Sequence, residues 1–155
     1  MLRVALVRRT VATKTINEVD KFAAMSVDWW DPSGSNAALH SLNALRIGFI
    51  DEIYDGGHRA LNDLTILDVG CGGGILAEGL ARRGARVMAI DPNETLLEVA
   101  ESRRKRYRLE NLSYHNIVIE DLQDCETKFD IVISSEGSIG CPLLFFKYTI
   151  LNIQN

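Results

Sequence analysis

The chain has 155 residues, 46% of them hydrophobic and 25% charged; that is the composition of one globular domain, not of a disordered tail, a collagen-like fibre or a coiled coil. Seventeen basic and 21 acidic residues give a net charge of −4, which offers no electrostatic footing for a nucleic-acid partner. No run nears the roughly 18 consecutive apolar residues of a membrane-spanning helix, and Cys71, Cys125 and Cys141 have neither the spacing of a zinc site nor the even count of a disulfide framework, so a reducing compartment is expected.

Residues 1–17, MLRVALVRRTVATKTIN, hold Arg3, Arg8, Arg9 and Lys14 and no acid. This composition is that of a mitochondrial transit peptide; a disordered basic terminus is the plainer alternative. Phe22 to Trp30 is aromatic and apolar, and Asp31 to Ser35 marks a turn. Asn36 is placed to cap a helix running to about Tyr54, with Leu39, Leu42, Leu45, Ile47, Phe49 and Ile50 as a wide apolar stripe. Thr65–Val69 reads as a buried strand. A glycine run follows, then a helix from Ile75 to Arg83 closed by Gly84. Arg86–Ile90 is a second strand. Asn93 or Thr95 starts a helix through about Arg108, with Leu96, Leu97 and Ala100 facing inward. Leu112–Asn116 is a third strand, and Phe129–Ser134 a fourth, built on Ile131, Val132 and Ile133. Strands alternating with helices predict an α/β fold, a parallel sheet covered on both faces.

The stretch Leu67 to Asp91, LDVGCGGGILAEGLARRGARVMAID, carries the chemistry. A strand feeds a glycine-rich turn that opens a helix, and an acid ends the next strand. Gly70 and Gly72 leave the backbone open to a ligand, and the following helix offers unpaired N–H groups at its start. Asp91 lies 21 residues after Gly70, the spacing at which a carboxylate meets ribose hydroxyls. Gly72, Gly74 and Ala77 formally satisfy the dinucleotide pattern, which keeps a nicotinamide oxidoreductase among the alternatives. Asp68 argues against it: a carboxylate at the end of the first strand would repel a pyrophosphate. S-adenosylmethionine carries an ammonium and a sulfonium and no phosphate, and suits an acid there. The alternatives are a helix or turn cap for Asp68 and a helix N-cap for Asp91.

This stretch resembles motif I and the acidic second-strand end of class I S-adenosylmethionine methyltransferases. Upstream, EVDKFAAMSVDWWDPSGSNAALHSLNALRIGFI resembles the start of the ubiquinone biosynthesis O-methyltransferases, with Lys-Phe, Trp-Trp-Asp, Leu-His and Asn-x-Leu-Arg in the same order. The likeness runs from about Asn17 to Glu136. It implies a Rossmann-like sheet, here incomplete at about four of seven strands, with an N-terminal helical extension. The implied layout is a leader over 1–17, a helical segment over 18–62, the cofactor-binding core over 63–136 and a divergent tail over 137–155. The implied reaction is methyl transfer to phenolic oxygens of polyprenyl intermediates.

Residue by residue, Arg46 matches the arginine that reaches the methionine carboxylate, a pairing suited to a guanidinium. Gly70 matches the glycine whose backbone meets the cofactor, Asp91 the ribose ligand, and Ser135 a cofactor contact after the fourth strand. Glu136 matches the first ligand of a Mg²⁺-binding Glu-x-x-Glu-His motif. The next two ligand positions are Ile139 and Gly140, which offer no oxygen or imidazole donor. From Gly137 the likeness stops, as in a C-terminally truncated form; residues 143–153 are a candidate substitute strand beside the fourth, with a helix that covers the sheet as the alternative.

His40 is a candidate general base, with a packed or surface helix histidine as the alternative. Arg103, Arg104, Lys105, Arg106 and Arg108 are expected on a solvated helix face; contact with anionic lipid is the other reading. Trp29 and Trp30 are expected in the core. The implied setting is the matrix side of the mitochondrial inner membrane, beside other quinone-biosynthesis enzymes. A non-catalytic relative that binds cofactor or a partner enzyme is the competing function.

Overall fold

The computed structural model describes residues 28–55, 61–62, 64–122 and 128–134. The proposed leader, Ser135, Glu136 and the tail 137–155 lie outside the described residues.

The first described segment is a closed loop. Asp31 accepts from the backbone N–H groups of Ser33 and Gly34, forming the expected turn. Asp28 accepts from both the backbone N–H and the hydroxyl of Ser35, at 2.9 and 3.0 Å. These bonds hold the Asp28 carboxyl below its ordinary value. They also fix Trp29 and Trp30 between two tied ends.

Helix α1 (Ala37–Asp55) follows. Its buried stripe is narrower than expected: Ile47 and Ile50 are buried, but Leu45 is 69% and Phe49 44% exposed. At about 100° per residue Leu45 and Phe49 each stand roughly 160° from Ile47, so one face cannot take all three. Then come β1 (Thr65–Val69), α2 (Ile75–Ala81), β2 (Arg86–Ile90), α3 (Glu94–Tyr107), β3 (Leu112–His115), a 3₁₀ turn (Ile119–Leu122) and β4 (Ile131–Ser134). The strands match expectation to within two residues at their ends, and α2 stops two residues early. Arg82 and Arg83 form the turn into Gly84, whose φ is 92°.

All strand pairs are parallel, in the order β3-β2-β1-β4. The chain therefore steps outward from β1 to β3 and then returns to β1's other side. Such a reversal opens a crevice at the carboxyl ends of β1 and β4, where open α/β sheets take their ligands. Alternation assigns the two faces. Ile66, Val87, Ala89, Ile131 and Ile133 join Ile47, Ile50, Leu76 and Leu80 in the larger core. Leu67, Ile90 and Phe129 form a smaller core on the other face. Asp68, two residues from Ile66 and level with Ala89 and Ile133, belongs to the larger, apolar face.

Helix α2 carries a glycine where α1 crosses it. A Cβ at Gly79 would collide with Ile47 Cδ1. One turn earlier on both helices, Asn43 Nδ2 donates to the Ile75 carbonyl at 3.1 Å. These two contacts pin α1, and with it Arg46, against the start of α2.

Candidate cofactor site

The glycine turn is shaped by positive φ angles at Gly70 (76°), Gly72 (54°) and Gly74 (85°), a region that side-chain-bearing residues avoid. The N–H groups of Gly70 and Cys71 donate to the Ile90 carbonyl at 2.8 and 3.1 Å, which hangs the turn from the end of β2. Asp91 completes the attachment. Its Oδ2 accepts from Gly72 N–H at 2.9 Å and its Oδ1 from Asn93 N–H at 2.7 Å. The cap of α3 is Asn93, whose Oδ1 accepts from Leu96 N–H. Asp91 is thus a brace between turn and sheet, not the helix cap. A carboxylate has about four acceptor positions; two are taken here, and two are left for ribose hydroxyls.

Asp68 is 1% exposed and neither of its carboxylate oxygens has a hydrogen-bond partner. The turn-cap alternative fails, because no backbone N–H reaches it. Burial raises its pKa from 3.8 to about 7; the nearby Arg46 guanidinium opposes the rise and Asp91 adds to it. A buried carboxylate without partners is costly. A cation arriving in the site offsets that cost, so the residues present fit a ligand with an ammonium group. The surroundings agree. The Cys71 thiol is pushed far up by burial and by the charges of Asp68 and Asp91. The Tyr114 phenol, next to Gly74, is pushed up by burial and by Cys71, Asp68 and two glutamates. Burial is the main cause of both rises, so they show how closed the turn is; the acids beside it, Asp68 and Asp91, are what disfavour a pyrophosphate there.

The Trp29 indole lies against Gly72 and Gly73; a Cβ at Gly73 would overlap its Cδ1 and Nε1. Trp29 packs with Ile75 and Leu96. Trp30 Nε1 donates to the Gly73 carbonyl at 3.0 Å. So Trp29 is core, as expected, while Trp30 is half-buried against it, and the two roof the glycine turn. Sequence reasoning missed this role; the fixed order of Trp-Trp-Asp ahead of the turn was the available signal.

The arginine cluster is not a uniformly solvated face. Arg103 is partly buried and donates from Nε and Nη2 to the two oxygens of buried Glu78, at 2.9 and 3.0 Å. Arg104 grips Glu101 in the same forked way. Arg106 remains exposed, as expected.

His40 is packed. Its Nε2 lies 3.0 Å from the Trp29 carbonyl, an acceptor, so the nitrogen donates there. Its ring meets Trp30 edge-on at 5.8 Å. The structure therefore brings Arg46, Asp68, Gly70, Gly72 and Asp91 together and gives His40 a place in the roof. Among the described residues no three His, Cys, Asp or Glu side chains gather to hold a metal ion. Glu136 lies outside the described residues, and the two positions at which the resemblance places the next ligands are Ile139 and Gly140, whose side chains carry no donor for Mg²⁺.

Known proteins of two kinds resemble this chain, in sequence and in fold. A family described as a methyltransferase domain matches residues 66–142. The chain is 39% identical over 137 residues to a ubiquinone biosynthesis O-methyltransferase of Azorhizobium caulinodans, covering 83% of this chain and 54% of that one. It is 43% identical over 120 residues to the protein of the same name from Acinetobacter baylyi, covering 77% and 49%. The chain thus spans about half the length of the curated relatives it matches. A magnesium protoporphyrin IX methyltransferase from Synechocystis PCC 6803, solved with bound SAM, superposes with a TM-score of 0.60 at 22% identity, over 86% of this chain and 67% of that one. At that identity the likeness is one of fold.

Proposed function

We propose, from the likeness to ubiquinone biosynthesis O-methyltransferases at about 40% identity over most of the chain, that it binds S-adenosylmethionine at the β1–α2 turn and serves methyl transfer to phenolic oxygens of polyprenyl dihydroxybenzoate and demethylubiquinol-type acceptors. The observation that carries this is the buried, unpartnered Asp68 carboxylate at the crevice, with Arg46 beside it. A zwitterionic amino acid needs that pair: one carboxylate and one guanidinium within electrostatic reach of each other.

When bound, S-adenosylmethionine would supply a methyl group on a sulfonium; a phenol that has lost its proton to solvent would take that methyl as the carbon–sulfur bond breaks, leaving S-adenosylhomocysteine. The chain's part is binding and orientation. Arg46 takes the carboxylate of the methionine end, and Asp68 holds its ammonium. Asp91 takes the ribose through its two free acceptor positions, and the Gly70–Gly74 backbone lets the nucleoside approach. The tryptophan roof excludes water from the turn.

The acid-free first 17 residues support a mitochondrial setting, and the exposed Arg106 supports peripheral contact with an anionic membrane. Ile139 and Gly140 favour a second reading, cofactor binding without turnover. Two measurements test the pair. Calorimetric titration with S-adenosylmethionine, S-adenosylhomocysteine and NAD is expected to show binding of the first two alone; binding of NAD alone rejects the assignment. A radiolabelled methyl-transfer assay on a catechol polyprenyl acceptor separates catalysis from binding without turnover.

A further inference from the structure

Among the described residues, four buried side-chain polar atoms have no hydrogen-bond partner: Trp29 Nε1, Asn43 Oδ1 and both carboxylate oxygens of Asp68. Well-packed proteins leave few such atoms, and each demands a reason. These four come from three distant parts of the sequence, yet each side chain adjoins the β1–α2 turn or the first residue of α2. Trp29 Nε1 is at the Gly73 Cα, where it would overlap a Cβ. Asn43 is tied through its other amide atom to the Ile75 carbonyl, at the first residue of α2. Asp68 precedes Gly70 by two residues.

Their chemistry is complementary in a specific way. An indole N–H can only donate, whereas an amide oxygen and a carboxylate can only accept. A ligand that satisfies all of them must present an acceptor to the first and donors to the others. With Arg46 adding a second donor, the set asks for one anionic and one cationic group on the same small ligand end. An α-amino acid terminus has both; a ribose or an adenine has neither charge.

We propose that Trp29 and Asn43 complete the subsite for the amino-acid end of the bound nucleoside, the Trp29 N–H serving its carboxylate with Arg46 and the Asn43 carbonyl oxygen serving its ammonium with Asp68. This rests on the methyltransferase reading above. It gives the Trp-Trp-Asp and Asn-x-Leu-Arg segments a direct task in ligand selection, beyond packing.

The test compares two nucleosides that differ only in this end. S-adenosylhomocysteine carries the amino-acid terminus; 5′-methylthioadenosine lacks it. Both are titrated calorimetrically into the full chain and into Trp29→Phe and Asn43→Leu, which keep most of the side-chain bulk. The expected result is a Kd for S-adenosylhomocysteine raised about tenfold in each variant, as loss of a hydrogen bond to a charged group predicts, with the Kd for 5′-methylthioadenosine unchanged. Equal weakening for both nucleosides would mean that the residues merely hold the turn, and overturns the proposal. So does unchanged affinity for both. If the unaltered chain binds neither nucleoside, the methyltransferase reading falls and takes this proposal with it, an outcome distinct from the other two.

Discussion

The Arg103 guanidinium stacks 3.5 Å from the centre of the Trp30 ring. The same group holds Glu78 with two hydrogen bonds. Trp30 in turn donates to Gly73. One cation therefore joins the roof, α3 and α2 in a single chain of contacts around the glycine turn.

Removing that cation leaves a buried carboxylate with Arg82 as its other ion-pair partner and an indole without its stacking face. Arg103→Ala is expected to destabilise the fold by about 2 kcal/mol. Arg103→Lys should recover only a small part, since an ammonium cannot fork onto both oxygens and stack as well. Urea denaturation followed by circular dichroism measures both.

Asp68 predicts an unusual pH dependence. Between the ordinary carboxylate value of 3.8 and about 7 the folded chain keeps a proton that the unfolded chain has lost. Folding stability should therefore fall as pH rises across that window. Asp68→Asn is expected to flatten this slope and to stabilise the ligand-free protein at pH 8 by about 1–3 kcal/mol. The same change should weaken S-adenosylhomocysteine binding at least tenfold, for want of an anion to meet the ammonium. Thermal melts at several pH values, with and without that nucleoside, give both answers.

Binding should also release protons. A ligand ammonium beside Asp68 favours the ionised carboxylate, so affinity rises with pH up to about 7 and levels off above it. Titrations at pH 6 in two buffers of different ionisation enthalpy should differ in apparent heat by up to one proton per site; identical heats would refute the linkage.

Gly73→Ala tests the roof by volume alone. The added methyl overlaps the Trp29 ring, and a buried indole next to backbone has little room to yield. Displacement of Trp29 should red-shift the intrinsic fluorescence and cut nucleoside affinity several-fold. A spectrum and affinity like those of the unaltered chain would show that the indole is not seated there.

Asp91→Ala removes the bracket on Gly72 and the proposed ribose ligand together. Affinity for both S-adenosylhomocysteine and 5′-methylthioadenosine should drop more than tenfold, since each carries the ribose. This even loss contrasts with the selective loss expected at Trp29 and Asn43, and parallel calorimetry resolves the two patterns.

Much of this was legible because it is local. Runs such as Thr65–Val69 and Ile131–Ser134 declare strands by β-branched and apolar content, and the glycines announce the turn between β1 and α2. Asp68 was also readable, by the argument that a pyrophosphate would not tolerate it. The missing parts are relations between distant segments. That Trp29 seals a turn more than forty residues later, or that Arg103 serves Glu78 instead of solvent, depends on how helices lie on the sheet. The apolar stripe of α1 misled for the same reason: hydropathy counted Leu45 and Phe49 inward, but α1 meets α2 along one face only, the face of Asn43 and Ile47. The assignments of Ser135, Glu136 and the leader fall outside the described residues.

Helices α1 and α2 mesh like two gears at a pair of teeth, Asn43 on Ile75 and Ile47 in the gap left by Gly79. Arg46 rides between those teeth. Its reach toward Asp68 is consequently gauged by an absent methyl group on the neighbouring helix. A change as small as one carbon at position 79 would lift the whole tooth and be felt as an altered grip on the ligand, at residues it never touches.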